Sequence, residues 1–256
     1  MKYLIARVKF VYNTRGIPGI LLAIWRRIFF FCFYAPYNFA GHLIMKRFRK
    51  PKYPKFNFRG KTYEYLYHHH NFTWNNERTV EVPIVWEIVK SAIGRGKRVL
   101  EVGNVLSFYY PISHDVLDKY ERGEGIINED VENFRSEKKY DVIASISTME
   151  HVGWDPPDKP DPEKIGNSLL NLKKSLAPGG EIVVTMPIGW NREMDKRLFP
   201  GNLPFDAEYF LKRVDEKNRW EEISKEAARG IFYGKPFSAA NAIVIGVIIP
   251  LETTIP

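Results

Sequence analysis

Ser147, Thr148, Met149, Glu150 and His151 close an apolar run that begins at Asp141. A histidine placed there, with an ordinary pKa near neutrality, is suited to take a proton from a substrate hydroxyl. The adjoining Glu150 adds a second titratable group, while a His151 that starts a helix and only lines a pocket is the other reading. A second apolar run, residues 98–102, ends in Glu101-Val102-Gly103-Asn104. Glycine allows positive φ and a close backbone approach to a ligand. Val105 and Ser107 do not extend that property, so the loop must take another path, with Asn104 the residue tolerant of left-handed geometry. His68-His69-His70 is not expected to hold a metal. Side chains on a strand alternate faces, and no cysteine or carboxylate stands at a familiar ligand spacing. This segment reads as a loop or edge strand that covers a pocket.

Elements that could position these groups follow from periodicity. Strands are expected over 98–102, 114–121, 125–131, 141–147, 181–186, 210–214 and 242–248. A helix is expected from Asn75-Asn76 to Ala92, with Pro83 in or near its first turn and Gly94 at its C-terminal cap. A second helix opens at Asp161-Pro162 and presents Ile165, Leu169, Leu172 and Leu176 as an inward stripe. Pro178-Gly179-Gly180 then ends that helix and leads into a strand. Glu101 and Asp141 are only 40 positions apart, so the crossover between them is reduced to a loop or turn. Trp154 to Pro160 is a Pro/Asp loop suited to be a lid. Trp190, Asn191, Asn202, Tyr233 and Lys235 are candidates to line an acceptor pocket.

The order acidic-x-Gly, then apolar strand with Glu-His, then Pro-Gly-Gly with strand resembles class I S-adenosylmethionine-dependent methyltransferases over roughly residues 77 to 250. The resemblance implies a Rossmann-like α/β fold: a mostly parallel seven-stranded sheet with an antiparallel last strand. It implies S-adenosylmethionine as cofactor, near Glu101, Gly103, Asn104 and Ser147. Asp118 would accept the ribose hydroxyls, with Glu121 and Asp115 as alternatives, and Asp130 would lie near the adenine amino group. Arg78 would pair with the methionine carboxylate, or would instead form a capping or surface ion pair. Methyl transfer to an oxygen or nitrogen of a small-molecule or glycan-like acceptor follows, with His151 and Glu150 as catalytic groups. The rival class is a methyltransferase-shaped, non-catalytic interaction or scaffold protein.

Charge divides the chain at 1–60, a basic and aromatic arm, and 61–256, the methyltransferase-like part. Residues 1–63 carry fourteen Lys or Arg and no acidic residue, leaving 24 basic and 30 acidic residues beyond. The basic pI is thus a property of the arm, and nucleic acid is not favoured as a partner. Aromatics between Trp25 and Phe39 intermix with Lys and Arg, as in a helical arm at an anionic membrane surface. Packing on the domain or in a homodimer is the other expectation for the arm, and a membrane span is disfavoured by Pro36, Asn38, Gly41 and His42. A surface attachment points to a lipid-linked or polysaccharide precursor as acceptor. The single Cys32 fits a cytoplasmic, reducing location, peripheral to the inner membrane face.

Overall fold

A computed structural model describes residues 54–154 and 160–249, together with residues 17, 18, 21, 24, 25, 28 and 32. Most of the arm and residues 155–159 of the expected lid lie outside the described residues. The chain divides into two compact units, residues 1–54 with 154–160, and residues 55–153 with 161–256. In the first, Ile17, Leu21, Ile24, Trp25 and Ile28 are all exposed. Among the described residues no helix is long and apolar enough to cross a membrane.

The second unit opens with a hairpin, β1 (Lys55–Phe58) and β2 (Lys61–Glu64). Arg59 and Gly60 turn it with φ of 50° and 72°, and this positive-φ pair matches the twist of the flanking strands. Phe56 and Phe58 are buried, and this compact unit runs from Lys55.

Helix α1 (Arg78–Gly94) contains Pro83 as its sixth residue, near its first turn. A proline there cannot donate to the Thr79 carbonyl one turn back. The Leu66 N–H takes that carbonyl at 3.0 Å, and the Thr79 hydroxyl donates to the Leu66 carbonyl at 3.1 Å. The left-handed residue after the helix is Gly96, with φ of 70°, not Gly94.

The main sheet holds β3 (Val99–Val102), β4 (Asp115–Leu117), β5 (Ile126–Ile127), β6 (Tyr140–Ile146), β7 (Leu176–Pro187), β8 (Ala207–Arg213), β9 (Trp220–Ile223) and β10 (Ala242–Ile248). Their order is β5-β4-β3-β6-β7-β10-β8-β9. β5 to β7 run parallel, and β10 is antiparallel to both β7 and β8. Among the described residues the sheet therefore has eight strands, where seven were expected. The addition is β9, whose sequence Trp-Glu-Glu-Ile lacks an apolar run and which pairs at the edge with β8. β4 and β5 are shorter than the sequence suggested, at three and two residues. Pro178-Gly179-Gly180 does not precede its strand. It lies inside β7, where the register against β6 shifts, and a Cβ on Gly180 would stand 2.9 Å from the Tyr140 carbonyl oxygen.

Helices α2 (Lys164–Lys173), α3 (Arg192–Leu198) and α4 (Lys225–Ala228) complete the unit. Alternate side chains of the central strands feed two cores. Leu100, Ile143 and Val184 pack with Ile165, Leu169 and Leu172 of α2 on one face. Val99, Val142 and Ala144 pack with Val82, Val85 and Val89 of α1 on the other.

Candidate functional site

β3 has β4 on one side and β6 on the other, so the strand order reverses between β3 and β6. In open α/β sheets a ligand crevice forms outside the carboxyl ends at such a switch point. Gly103 follows β3, Asp118 follows β4, Ser147 to His151 follow β6, and Trp190 lies shortly beyond β7. The topology thus brings most of the sequence-derived candidates to one edge.

Gly103 adopts φ of 83°, and a Cβ there would stand 2.2 Å from the Thr148 Oγ1. The left-handed position is therefore Gly103, whereas Asn104 does not have positive φ. The next residues wind into a 3-10 turn, Leu106–Phe108. Glu101 organises this path. Its Oε1 accepts the N–H groups of Val105 and Leu106 at 2.9 and 2.8 Å, and its Oε2 lies 3.0 Å from the His114 Nε2. Both carboxylate oxygens are engaged within the protein, so Glu101 shapes the loop from below. Asn104 Oδ1 and His114 Nδ1 are buried without a hydrogen-bond partner. His114 was not foreseen; no periodicity marks a residue whose importance comes from packing against Glu101.

Beside this loop lies a buried cluster of charge. Arg78 Nη1 pairs with Glu81 Oε2 at 2.8 Å, and the Ser147 hydroxyl donates to both Glu81 oxygens at 2.8 and 2.9 Å. Ser147 has φ of 37°, a costly conformation for a side-chain-bearing residue that clusters at functional sites. Burial opposes the Arg78 charge, but Glu81, Glu77 and Glu150 outweigh it and raise its pKa. Burial also raises the Glu81 pKa, with Arg78 opposing and Glu77 adding to the rise. Glu150 is raised well above the carboxylate range, first by burial and further by Glu81 and Glu77. Its Oε2 makes no hydrogen bond, and its Oε1 lies 3.7 Å from the Nε2 of the half-exposed His151. Glu77, buried, accepts the Ala240 N–H at 3.0 Å. Arg78 is thus a buried partner of carboxylates rather than a surface ion pair. Glu77 and Glu81 stand at the front of α1 in the sequence, but only the fold turns them inward. The signal was a glutamate inside the apolar run Val80-Glu81-Val82.

Asp118 Oδ1 accepts the N–H groups of Tyr120 and Glu121 at 2.8 and 2.7 Å. Asp130 Oδ2 meets Lys119 at 3.0 Å and Lys164 at 2.9 Å, while its Oδ1 accepts the Glu132 N–H at 3.2 Å. Burial works against its charge, but the two lysines prevail and its pKa is lowered. Asp130 is a clasp between the loops after β4 and β5 and helix α2.

His70 stacks on Phe108 with ring centroids 4.1 Å apart, and His68 meets Tyr109 edge-on at 5.2 Å. The histidine segment therefore packs over the turn that follows Gly103. Among the described residues no group of side chains is arranged to hold a metal ion. Trp190 lies 4.2 Å from the His151 ring. Burial pushes the Tyr233 phenol up to about 12, with Glu77 and Glu150 adding to the rise. Asn191 instead caps α3 through its side-chain oxygen and donates to the Glu150 carbonyl. Asn202 and Lys235 are exposed.

Five parallel strands, a switch point at β3/β6 and an antiparallel β10 inserted before β8 define the class I methyltransferase fold. Solved structures with a related fold include the N-methyltransferase NodS from Bradyrhizobium japonicum WM9 in complex with S-adenosyl-L-homocysteine. It is 15% identical, with a TM-score of 0.40, covering 66% of this chain and 86% of that one. The sugar N-methyltransferase KedS8 from Streptoalloteichus is 11% identical, with a TM-score of 0.35 and coverage of 67% and 88%. A SAM-dependent methyltransferase from Archaeoglobus fulgidus is 16% identical, with a TM-score of 0.37 and coverage of 64% and 94%. These TM-scores are low, and the fold is read from the strand order itself. No family model and no curated protein matches the sequence.

Proposed function

We propose that the chain transfers a methyl group from S-adenosylmethionine to an oxygen or nitrogen of a small-molecule or glycan-like acceptor. The observation that carries this reading is the Gly103–Thr148 contact at the switch point. The Thr148 side chain fills the place of a Cβ there, so only glycine fits, and the two loops that end the crevice are held together. The chain's residues fit the cofactor. Asn104 offers a buried, unused carbonyl oxygen, and Asp118 engages only Oδ1 in its own turn, leaving Oδ2 for a hydroxyl. Arg78 is a buried guanidinium suited to a carboxylate. When bound, the cofactor supplies an electrophilic methyl carbon on a sulfonium. The protein's own task is to position the donor and acceptor and exclude water. Glu101 and His114 hold the loop, and Asp130 clasps the walls.

Calorimetric titration with S-adenosylhomocysteine tests this reading. Binding at micromolar concentration is expected, and no heat at high micromolar ligand would favour the non-catalytic scaffold alternative. The arm forms the second part of the proposal. Its thirteen basic residues without an acidic one, and its exposed Ile17, Leu21, Ile24, Trp25 and Ile28, suit an anionic membrane surface. This would place the protein at the inner membrane face with a lipid-linked acceptor. Flotation with anionic liposomes should succeed at low salt and fail on removal of residues 1–50; a monomer mass at every concentration in light scattering would exclude the homodimer alternative.

A further inference from the structure

A cavity of about 460 Å³ lies between the exit of β7, helix α3 and the turn that follows α4. That volume suits a small molecule. Backbone fixes its walls. Gly189 has φ of 81°, and a Cβ there would stand 2.6 Å from both the Ile231 carbonyl oxygen and the Tyr233 N. The Gly189 N–H donates to Asp195 Oδ2 at 3.0 Å. The same stretch of chain reaches the switch point. Trp190, next to Gly189, meets the His151 ring with centroids 4.2 Å apart, and Asn191 donates to the Glu150 carbonyl at 2.9 Å. The segment 188–191 therefore joins the cavity to the end of β6.

Two kinds of side chain line this cavity. Ile188, Phe199, Ile231 and Phe232 form an apolar wall, and Phe232 is 59% exposed. Arg192, Lys196 and Arg229 supply positive charge against a single carboxyl, Asp195. Neither oxygen of Asp195 is presented to a ligand: Oδ2 takes the Gly189 N–H, and Oδ1 is buried. The Arg229 guanidinium lies over the Phe199 ring, 5.0 Å from its centroid, and donates to the Phe199 carbonyl at 3.4 Å. Lys196 pairs with Glu193 at 2.7 Å, and the exposed Glu226 stands in the field of Arg229. Both acids lie outside the lining and reach solvent, which screens them. Arg192 is exposed and has no acidic partner among the described residues.

A phosphate ester matches this chemistry. Near neutral pH it carries a charge of about −1.5 to −2 on three acceptor oxygens. It therefore engages more than one cation at once, whereas a single guanidinium already matches a carboxylate. The apolar wall suits the carbon skeleton that bears the phosphate. Resting on the methyltransferase reading above, we propose that this cavity anchors the methyl acceptor, and that the acceptor is a phosphate ester. Its phosphoryl group meets Arg192 and Arg229, with Lys196 adding charge. Its skeleton lies against Phe199 and Phe232 and runs along Trp190 toward the end of β6. The phosphate does not react; it is the handle by which the acceptor is held.

The test uses the full chain and two matched pairs: glucose 6-phosphate against glucose, and hexyl phosphate against hexanol. Titration calorimetry at neutral pH, with S-adenosylhomocysteine saturating, reads their binding. The phosphorylated member of at least one pair should bind about tenfold tighter. Preference in the sugar pair identifies a soluble sugar phosphate as the source, and preference in the alkyl pair a lipid-linked one; both uphold the proposal. R192Q/R229Q should reduce the preference below about threefold, with melting temperature and S-adenosylhomocysteine affinity unchanged. K90Q/R95Q, two exposed cations at the end of α1, should keep it. Should R192Q/R229Q fail to fold, R192Q alone carries the comparison. Trp190 fluorescence, taken as the difference between the wild type and W190F, should shift as the ester binds. Equal binding within both pairs, a preference that survives R192Q/R229Q, or one lost equally in K90Q/R95Q overturns the proposal. A silent Trp190, or inorganic phosphate binding as tightly as the esters, overturns it too. A wild type that does not bind S-adenosylhomocysteine sinks the methyltransferase reading instead, and calorimetry of that ligand alone separates the two failures.

Discussion

Gly103 and Thr148 meet across the gap between the ends of β3 and β6, so closely that a Cβ on Gly103 would lie 2.2 Å from the Thr148 Oγ1 and 2.8 Å from its Cγ2. The contact ties the two loops of the switch point to a single geometry. G103A combines strain at a φ of 83° with this clash. It should cost about 2–4 kcal/mol of stability and abolish S-adenosylhomocysteine binding. Adding T148A removes the Oγ1 and Cγ2 contacts but leaves its own Cβ 2.9 Å away and the strain in place, so the double variant should recover part of the loss in denaturant midpoint. If T148A recovers none of it, the clash is not the cause.

Glu101 should prove a loop-shaping residue. Its carboxylate is fully buried and satisfies two backbone N–H groups and His114. E101A leaves all three unpaired and should destabilise the protein by about 3 kcal/mol in urea unfolding. H114A, which strips one partner from a buried carboxylate, should also destabilise it, and the two losses should be markedly non-additive in a double-mutant cycle.

Asp118 and Asp130 should separate by assay. D118N should weaken S-adenosylhomocysteine binding by about tenfold, the loss of one charge-assisted bond, with little change in melting temperature. D130N breaks the clasp to Lys119 and Lys164 and should lower stability by roughly 1 kcal/mol, kept small by partial solvent screening. The Asp130 pKa is lowered in the folded state. Its stabilising contribution is therefore present above the ordinary aspartate range and fades as pH falls through the folded pKa. A melting-temperature profile in acid should show this dependence for the wild type and not for D130N.

Asp195 should act in the opposite sense. Burial raises its pKa to about 6, against the opposing Gly189 N–H, and its Oδ1 has no hydrogen-bond partner. The folded state holds this proton more tightly than the unfolded chain, so stability falls as pH rises from about 4 to about 6. D195N should flatten that part of the stability–pH curve. An unchanged curve would show that Asp195 ionises normally.

The sheet was legible because buried parallel strands are written as apolar runs. β3, β6 and β10 were each located to within a residue or two at either end, and Ile165, Leu169 and Leu172 form the inward stripe of α2 as their spacing requires. β9 was not legible, since an edge strand with Glu221 and Glu222 has no such run. Pro83 and Pro178 are accommodated for a common reason. Each is tolerated inside its element because something beyond local sequence compensates: the Leu66 N–H for the first, and a register shift against β6 for the second.

Sequence alone located the central strands β3, β6 and β10 and the helices α1 and α2, and with them the strand ends after which Gly103, Ser147, Glu150 and His151 follow. Chain direction and apolar periodicity suffice for that. Only the tertiary structure decided what each group does there. Whether a carboxylate is satisfied, paired or left with a vacant oxygen depends on neighbours far away in sequence. Glu101 became a support through His114, Asp130 a clasp through Lys119 and Lys164, and Glu81 a buried partner of Arg78 and Ser147. Burial removes the water that would otherwise satisfy these charges, so their roles are set by the protein partners the fold supplies.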